Sequence, residues 1–162
     1  MPDRLEQWLE QHAAALVLFA RGWVPGHADA EDVVQEAFVR FWRSRSRVSD
    51  PAAYLYACVK RCALEWLRAG SRRSRREETI ARAEAEPLFE DAIEQQERRA
   101  AIEAALVNLP EKQREVLVLR IWGDLSFPQI AEALGVPTET AASRYRYALA
   151  KLHEEFAKEP IL

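Results

Sequence analysis

Hydrophobic and polar residues recur along most of the chain with the period of an amphipathic α-helix. The first such stretch covers Asp3–Arg21 and ends at a glycine followed by a Pro-Gly turn. The second starts at Asp29, a suitable N-cap residue with acidic side chains behind it, and reaches about Arg43. Pro51 begins the third, where proline is tolerated, and Gly70 ends it. The pattern predicts three helices in the first 70 residues, with a polar, arginine-rich loop before the third.

The second half of the chain shows the same period after an interruption. Residues 71–89 are charged and have little apolar periodicity, which predicts a linker. Further helices are predicted at about Leu88–Val107, Pro110–Trp122, Ser126–Leu134 and Thr138–Phe156. The sequence therefore predicts an all-α fold, in which a three-helix module (residues 1–70) and a second helical module (residues 90–162) are joined by this linker.

The last two predicted helices have the spacing of a helix-turn-helix. Ser126 can cap the first helix, Ala131 is small where the second helix must cross, and Gly135 supplies the tight turn four residues later. In this motif the second helix enters the major groove of DNA. An ordinary helical hairpin is the alternative.

A helical projection of the last helix separates an apolar arc from a polar one. The arc expected in the core holds Ala141, Ala142, Tyr145, Ala148, Leu149 and Leu152. The candidate DNA-contacting residues on the other side are Thr138, Thr140, Ser143, Arg144, Arg146, Tyr147 and Lys151. Arg144 lies near the helix N-terminus and is the best candidate for a bidentate base contact, whereas Arg146 and Lys151 suit phosphates.

The overall charge is −3, which by itself speaks against nucleic-acid binding. The charge is unevenly distributed, however, because residues 40–76 alone carry a net charge of +9. Aromatic residues lie among these cations, and single-stranded nucleic acid is bound by cations that hold phosphates and rings that stack on bases. A solvated basic face is the alternative. The candidate strand-binding residues are Arg45, Arg47, Tyr54, Tyr56, Lys60, Arg61, Arg68, Arg72 and Arg73.

The second predicted helix has a polar face with an apolar residue at its centre. Its expected core arc holds Val33, Val34, Ala37, Phe38, Phe41 and Trp42. Val39 lies on the opposite side among acidic, amide and basic side chains, which favours a protein partner. A single exposed valine with no function is the alternative. The candidate partner-binding residues are Asp32, Gln35, Glu36, Val39, Arg40 and Arg43.

Two segments resemble the extracytoplasmic-function family of bacterial RNA polymerase sigma factors. AEDVVQEAFVRFW (Ala30–Trp42) resembles the helix of that family that binds core polymerase, and Leu109–Leu152 resembles its promoter-recognition domain. The resemblance implies that the second helix docks on the polymerase largest subunit. It also implies that the basic module captures the non-template strand of the minus-ten element, and that the last helix reads the minus-thirty-five element as duplex.

The expected function is therefore that of an alternative sigma factor, which binds core RNA polymerase and directs promoter-specific initiation in the cytoplasm. An anti-sigma factor is an expected partner. Arg61 stands where the family commonly has asparagine, and Ala142 and Tyr147 stand where basic residues are frequent. These departures leave open a sigma-like decoy or adaptor that binds an anti-sigma regulator without initiating. A third possible function is that of a free-standing helix-turn-helix repressor.

Enzymatic and metal-binding functions find no support in the sequence. Cys58 and Cys62 are four residues apart, but the three histidines do not complete a zinc-ligand pattern, so buried thiols are expected. Phosphate-binding loops and catalytic triads are not found. We therefore expect no catalysis, no cofactor, no metal and no small-molecule substrate, and no apolar run is long enough for a membrane span.

Overall fold

The computed structural model describes residues 2–73 and 96–158, and every regular element within these ranges is helical. The elements are α1 (Pro2–Ala20), α2 (His27–Ser44), a 3-10 turn (Arg45–Arg47), α3 (Pro51–Arg73), α4 (Gln96–Asn108), α5 (Glu111–Ile121), α6 (Phe127–Leu134) and α7 (Thr138–Lys158). We call α1–α3 the N-terminal module and α4–α7 the C-terminal module. The all-α prediction is confirmed. Most of the predicted linker and the beginning of the predicted fourth helix lie outside the described residues.

Two predicted helix boundaries in the N-terminal module are wrong. Helix α2 begins at His27, and Gly26 is its N-cap without a side-chain cap, so Asp29 lies in the first turn instead. Its carboxylate is still favourable there because it faces the positive end of the helix dipole. Helix α3 continues through Gly70 to Arg73. A glycine in a helix interior lowers the stability of the helix by only about 1 kcal/mol relative to alanine. Gly70 also does not adopt the left-handed conformation that ends many helices.

The N-terminal module is built around aromatic and aliphatic side chains from all three helices. Phe19 of α1 is almost fully buried and meets the rings of Trp23 and Tyr56 edge-on, with centroids 5.0 and 5.5 Å away. This geometry suits the quadrupoles of the rings. On the other side, Arg40 of α2 donates two hydrogen bonds to the Glu65 carboxylate of α3, at 3.1 and 2.7 Å. The basic helix α3 is thereby fixed against α2.

Helices α6 and α7 form the predicted hairpin, and its two ends are defined by specific residues. Ser126 and Gln129 form a reciprocal capping box at the start of α6. Gly135 ends α6 with φ near +67°, the left-handed conformation that glycine adopts without strain. Ala141 and Ala148 of α7 are completely buried against α5 and α6. The short side chains allow the close crossing that a helix-turn-helix needs.

The two modules pack against each other, with α3 against α6 and α1 against α5. Polar contacts between described residues join them across this surface, which we call the module interface. Lys60 Nζ lies 2.7 Å from Glu115 Oε1, and Arg114 Nη2 donates to the Gly22 carbonyl at 2.9 Å. In addition, Trp23 Nε1 donates to Glu111, and Gln129 Nε2 donates to Asp50 Oδ1 at 3.4 Å. The buried apolar residues of the two modules form one continuous core.

Candidate nucleic-acid interface

Helix α7 presents the polar face that the projection predicts. Thr138, Arg146 and Tyr147 are exposed, and Tyr147 is 63% accessible. The other four candidates, Thr140, Ser143, Arg144 and Lys151, are partly exposed. Helix α7 crosses α6 within the hairpin and has this face outside the core. All seven candidates are therefore at least partly accessible on a helix that has the setting of a recognition helix.

The individual side chains on this face differ in what they can offer to DNA. Ser143 Oγ donates its hydrogen to the carbonyl of Glu139 at 2.8 Å, so its oxygen remains available as an acceptor. Arg144 follows directly, within the first two turns of the helix. Its guanidinium carries parallel donors that match the O6 and N7 acceptors of guanine. Glu139 is the acidic residue on this face and lies in the first turn.

The basic turn before α3 places cations beside an exposed tryptophan. Trp42, which the projection assigns to the core, is 41% accessible, so that assignment is wrong. The Arg45 guanidinium lies over the Trp42 ring, with its carbon 3.8 Å from the ring centroid, and donates to the Trp42 carbonyl. Arg47 is exposed on the same turn. The turn thus combines cationic groups with an aromatic face, as strand-binding proteins do.

The candidates on α3 do not share one environment. Arg61 and Arg68 are exposed, and Tyr54 is half-buried beside Phe41. Tyr56 is fully buried, so it cannot contact DNA in this arrangement. Lys60 is paired with Glu115 of the C-terminal module. Arg72 and Arg73 lie in the last turn of α3, and their side chains fall outside the described residues.

The outward face of α2 carries five of the six predicted partner-binding residues in exposed positions, namely Asp32, Gln35, Glu36, Val39 and Arg43. Arg40 is the exception, because its guanidinium is held by Glu65 and by Glu36, the latter at 3.3 Å. These carboxylates raise the pKa of Arg40, while Arg40 lowers the pKa of Glu65. Arg40 therefore has a structural contact that the sequence projection did not reveal.

An apolar groove runs beside this face, between α1 and α2. Its lining combines Leu5 and Leu9 of α1 with Phe38, Val39 and Trp42 of α2. Val39 and Trp42 are both more than 40% accessible. The exposed valine is thus part of a continuous apolar strip, which is a feature of protein-docking surfaces.

Buried titratable groups cluster on α3 and at the module interface. Burial raises the pKa values of the thiols of Cys58 and Cys62, which are free and shielded from solvent as predicted. Burial also raises the pKa of Glu115, and the nearby Lys60 ammonium partly opposes that rise. Among the described residues, no group of three or more potential metal ligands is found. No described helix has the length and apolarity that a membrane crossing requires.

Comparisons with known proteins agree with this arrangement. The family description "Sigma-70 region 2" matches residues 8–73, and "Sigma-70, region 4" matches residues 99–152. The chain is 35% identical over 153 residues to the RNA polymerase sigma-E factor of Streptomyces coelicolor, which covers 93% of this chain and 84% of that protein. It is 27% identical to the ECF RNA polymerase sigma factor RpoE of Cereibacter sphaeroides, over 80% of this chain and 74% of the relative.

Two solved structures have the same fold. The sigma factor RpoE in complex with the anti-sigma factor NepR from Bartonella quintana superposes with a TM-score of 0.68 and 21% identity, over 98% of this chain and 99% of that one. CnrH in complex with the cytosolic domain of CnrY gives a TM-score of 0.66 and 24% identity, over 98% and 91%. Taken with the sequence matches, these findings identify the chain as a member of the extracytoplasmic-function sigma factors, which are not enzymes but direct RNA polymerase to promoters.

Proposed function

We propose that the two modules divide promoter recognition between single-stranded and duplex DNA. The N-terminal module (residues 1–70) captures the non-template strand of the minus-ten element with its basic turn and α3. The C-terminal module (residues 90–162) reads the minus-thirty-five element with α7, and residues 71–89 link the two. The observation that carries this proposal is the polar face of α7, which lies outside the core and has Arg144 in its first two turns.

On α7, we assign sequence readout to Arg144 and backbone contacts to Arg146. An arginine that is bidentate to guanine supplies about 1–3 kcal/mol of discrimination, whereas a phosphate contact adds affinity on any sequence. Arg144→Ala should therefore lower promoter selectivity about 10- to 100-fold in run-off transcription with core polymerase and a pool of genomic promoters. Arg146→Ala is the matched control. It should weaken binding to all promoters about equally and reduce the salt dependence of that binding. If Arg144→Ala and Arg146→Ala changed promoter selectivity to the same extent, the assignment would be wrong.

We further propose that the face of α2 and the neighbouring apolar groove dock on core polymerase. Val39 contributes an exposed apolar side chain surrounded by Asp32, Gln35 and Glu36, so an apolar centre is ringed by polar groups. Val39→Asp should weaken binding to core polymerase at least about tenfold, since it places a charge at the centre of the contact. Ala14→Asp adds the same charge to an exposed position of α1, on the side of that helix opposite Leu5 and Leu9, and should leave binding unchanged. Biolayer interferometry with immobilised core polymerase measures both.

An anti-sigma protein is the regulator that we propose for this chain, acting in the cytoplasm. Two of the structures with the same fold are complexes of that kind. The apolar groove between α1 and α2 offers such a partner a surface that overlaps the proposed polymerase-docking face. Binding of polymerase and of the anti-sigma protein should therefore be mutually exclusive, and a competition experiment with purified components tests this.

A further inference from the structure

A cleft of about 870 Å³ opens where α1, α2, the 3-10 turn and the start of α3 meet. We call it the tryptophan cleft, because Trp8 and Trp42 line it. Leu5 and Trp42 line both this cleft and the apolar groove described above, but the other lining residues of the two differ. Its volume lies within the range of sites that hold small organic molecules, about 300–1,000 Å³. None of the residues proposed for duplex readout lines it.

The lining of the tryptophan cleft is mostly apolar. Phe41 and Leu55 are buried, Trp8 is half-buried and Trp42 is exposed. The Trp8 ring stacks on the ring of His12, with centroids 4.4 Å apart and an angle of 18° between the planes. Because neighbouring side chains already restrain these rings, a flat ligand can pack on them with little further loss of side-chain conformational freedom. The lining therefore favours a ligand with a flat, apolar body.

Two exposed arginines line the same cleft, Arg4 of α1 and Arg45 of the 3-10 turn. The stacking of the Arg45 guanidinium on the Trp42 ring restrains this cation. Its Nη1 donates to the Trp42 carbonyl, and a guanidinium carries further N–H donors that can bind an anion. A restrained guanidinium beside an aromatic face suits a carboxylate that is attached to a ring.

The acidic residue in the lining is Asp50, and its carboxylate is engaged by other groups of the protein. Its Oδ1 accepts hydrogen bonds from the Ala53 N–H at 3.1 Å and from Gln129 Nε2 at 3.4 Å. With two arginines and one aspartate, the lining carries a net charge of +1. Charge complementarity therefore favours an anionic ligand over a cationic one.

We propose that the tryptophan cleft binds a small aromatic carboxylate, with its ring packed on Trp8 and Trp42 and its carboxylate bound by Arg45. The two oxygens of a carboxylate match the parallel N–H groups of a guanidinium, and the ring matches the flat apolar lining. Arg45 is also one of the residues to which we assign strand capture. A bound carboxylate occupies it and should inhibit strand binding, and this second step rests on the proposed function.

The first test titrates the full chain with anilinonaphthalene sulfonate, an aromatic anion whose fluorescence rises when it leaves water. Arg45→Met removes the cation from the exposed turn and should weaken binding about tenfold, because a charge-assisted hydrogen bond is lost. Lys112→Met removes one exposed cation from α5, outside the lining of the cleft, and should leave the affinity unchanged. Equal affinities of Arg45→Met and the wild type for this probe overturn the proposal.

The second test fills the cleft. Ala52→Phe adds a ring at a half-buried position of the lining and should weaken binding of the same probe at least about tenfold. Leu9→Ala alters the neighbouring apolar groove and not the cleft, so it should bind the probe as the wild type does. Circular dichroism checks that both variants are folded. If Leu9→Ala weakens probe binding and Ala52→Phe does not, the probe binds in the groove and the proposal is wrong.

The third test identifies the class of ligand by displacement of the bound probe. Indole-3-acetate should displace the probe, whereas 3-methylindole, which has the same ring without a carboxylate, should compete at least about tenfold more weakly. Thymidine monophosphate represents the alternative occupant, a base and phosphate of the DNA strand. Displacement by the nucleotide and not by indole-3-acetate would assign the cleft to the strand and overturn the proposal.

Strand binding separates this proposal from the proposed function. Saturating indole-3-acetate should weaken binding of a labelled, mixed-sequence single strand of about 20 nucleotides at least about fivefold, because it removes one of several cationic contacts. Fluorescence anisotropy measures this effect, and sodium acetate at the same concentration controls for ionic strength. If indole-3-acetate binds in the cleft and leaves strand binding unchanged, the assignment of Arg45 to strand capture is wrong and the ligand site stands.

Discussion

The pairing of Lys60 with Glu115 leads to a prediction in which pH and mutation act together. The Lys60→Met variant keeps most of the side-chain volume and removes the cation that faces a carboxylate only 2% accessible. Breaking one side of a buried ion pair costs about 3–5 kcal/mol. Lys60 is itself 28% accessible, so water can partly replace its ammonium, and we expect a loss of about 2–3 kcal/mol at pH 7.5.

The pH dependence follows from the direction of the Glu115 shift. Its pKa in the folded chain is raised above the ordinary value by burial. For such an acid, the protonated form is favoured by folding, so stability is greatest below the unfolded pKa and falls as pH rises through the folded pKa. Removal of the opposing cation raises that pKa further. The fall in stability should therefore be larger in Lys60→Met and should extend to higher pH than in the wild type.

Urea unfolding followed by tryptophan fluorescence measures this effect at pH 5.5 and pH 7.5. The loss caused by Lys60→Met should be smaller at the lower pH, because the raised pKa of Glu115 makes protonation of its carboxylate easier there. Adding Glu115→Gln to Lys60→Met should recover most of the stability at pH 7.5, since no uncompensated charge then remains. The same loss at both pH values, or a double variant no better than the single one, would refute the reasoning.

Three further predictions concern the local contacts. Single and double alanine variants of Arg40 and Glu65 should show a coupling of about 1 kcal/mol in a double-mutant cycle, because the pair is bidentate but partly exposed. Additive effects would show that the pair contributes nothing. Ser126→Ala removes the capping box and should cost about 1 kcal/mol of stability in urea unfolding, with faster amide hydrogen exchange in the first turn of α6. Gly135→Ala places a side chain at a φ of +67° and should cost about 1 kcal/mol on a thermal unfolding curve, although no atom lies within 4 Å of the added Cβ. An unchanged midpoint would argue against backbone strain there.

Hydrophobic periodicity predicted the helices because burial on a helix face is a local property. Projection of α7 correctly separated Ala141 and Ala148 from the polar side, and the tight turn expected at Gly135 is present. Gly70 misled the prediction of the end of α3, because a single glycine inside a long, well-packed helix is tolerated. The local hydrophobic pattern therefore predicted which helices form, but it did not predict where all of them end.

Hydrophobic periodicity could not predict how the two modules pack against each other. Tyr56 looks like a strand-binding residue in the sequence because it is an aromatic residue in a basic segment. It is buried because Phe19 of α1 and the turn around Gly123, which follows α5, cover it, and these contacts are distant in sequence. Trp42 is the reverse case, since its helix face predicts burial while its neighbours leave 41% of it exposed. A projection assigns residues to faces and does not show what packs on each face.

The buried hydroxyl of Tyr56 has a consequence for how firmly the two modules hold each other. Among the described residues, Tyr56 Oη has no hydrogen-bond partner. A buried hydroxyl without a partner costs about 1–3 kcal/mol relative to one that contacts water. Separation of the two modules would hydrate this oxygen. The unpartnered hydroxyl therefore reduces the free energy that the packing of the modules contributes. Phenylalanine at this position would fill the same space without that penalty, and would hold the two modules together more firmly.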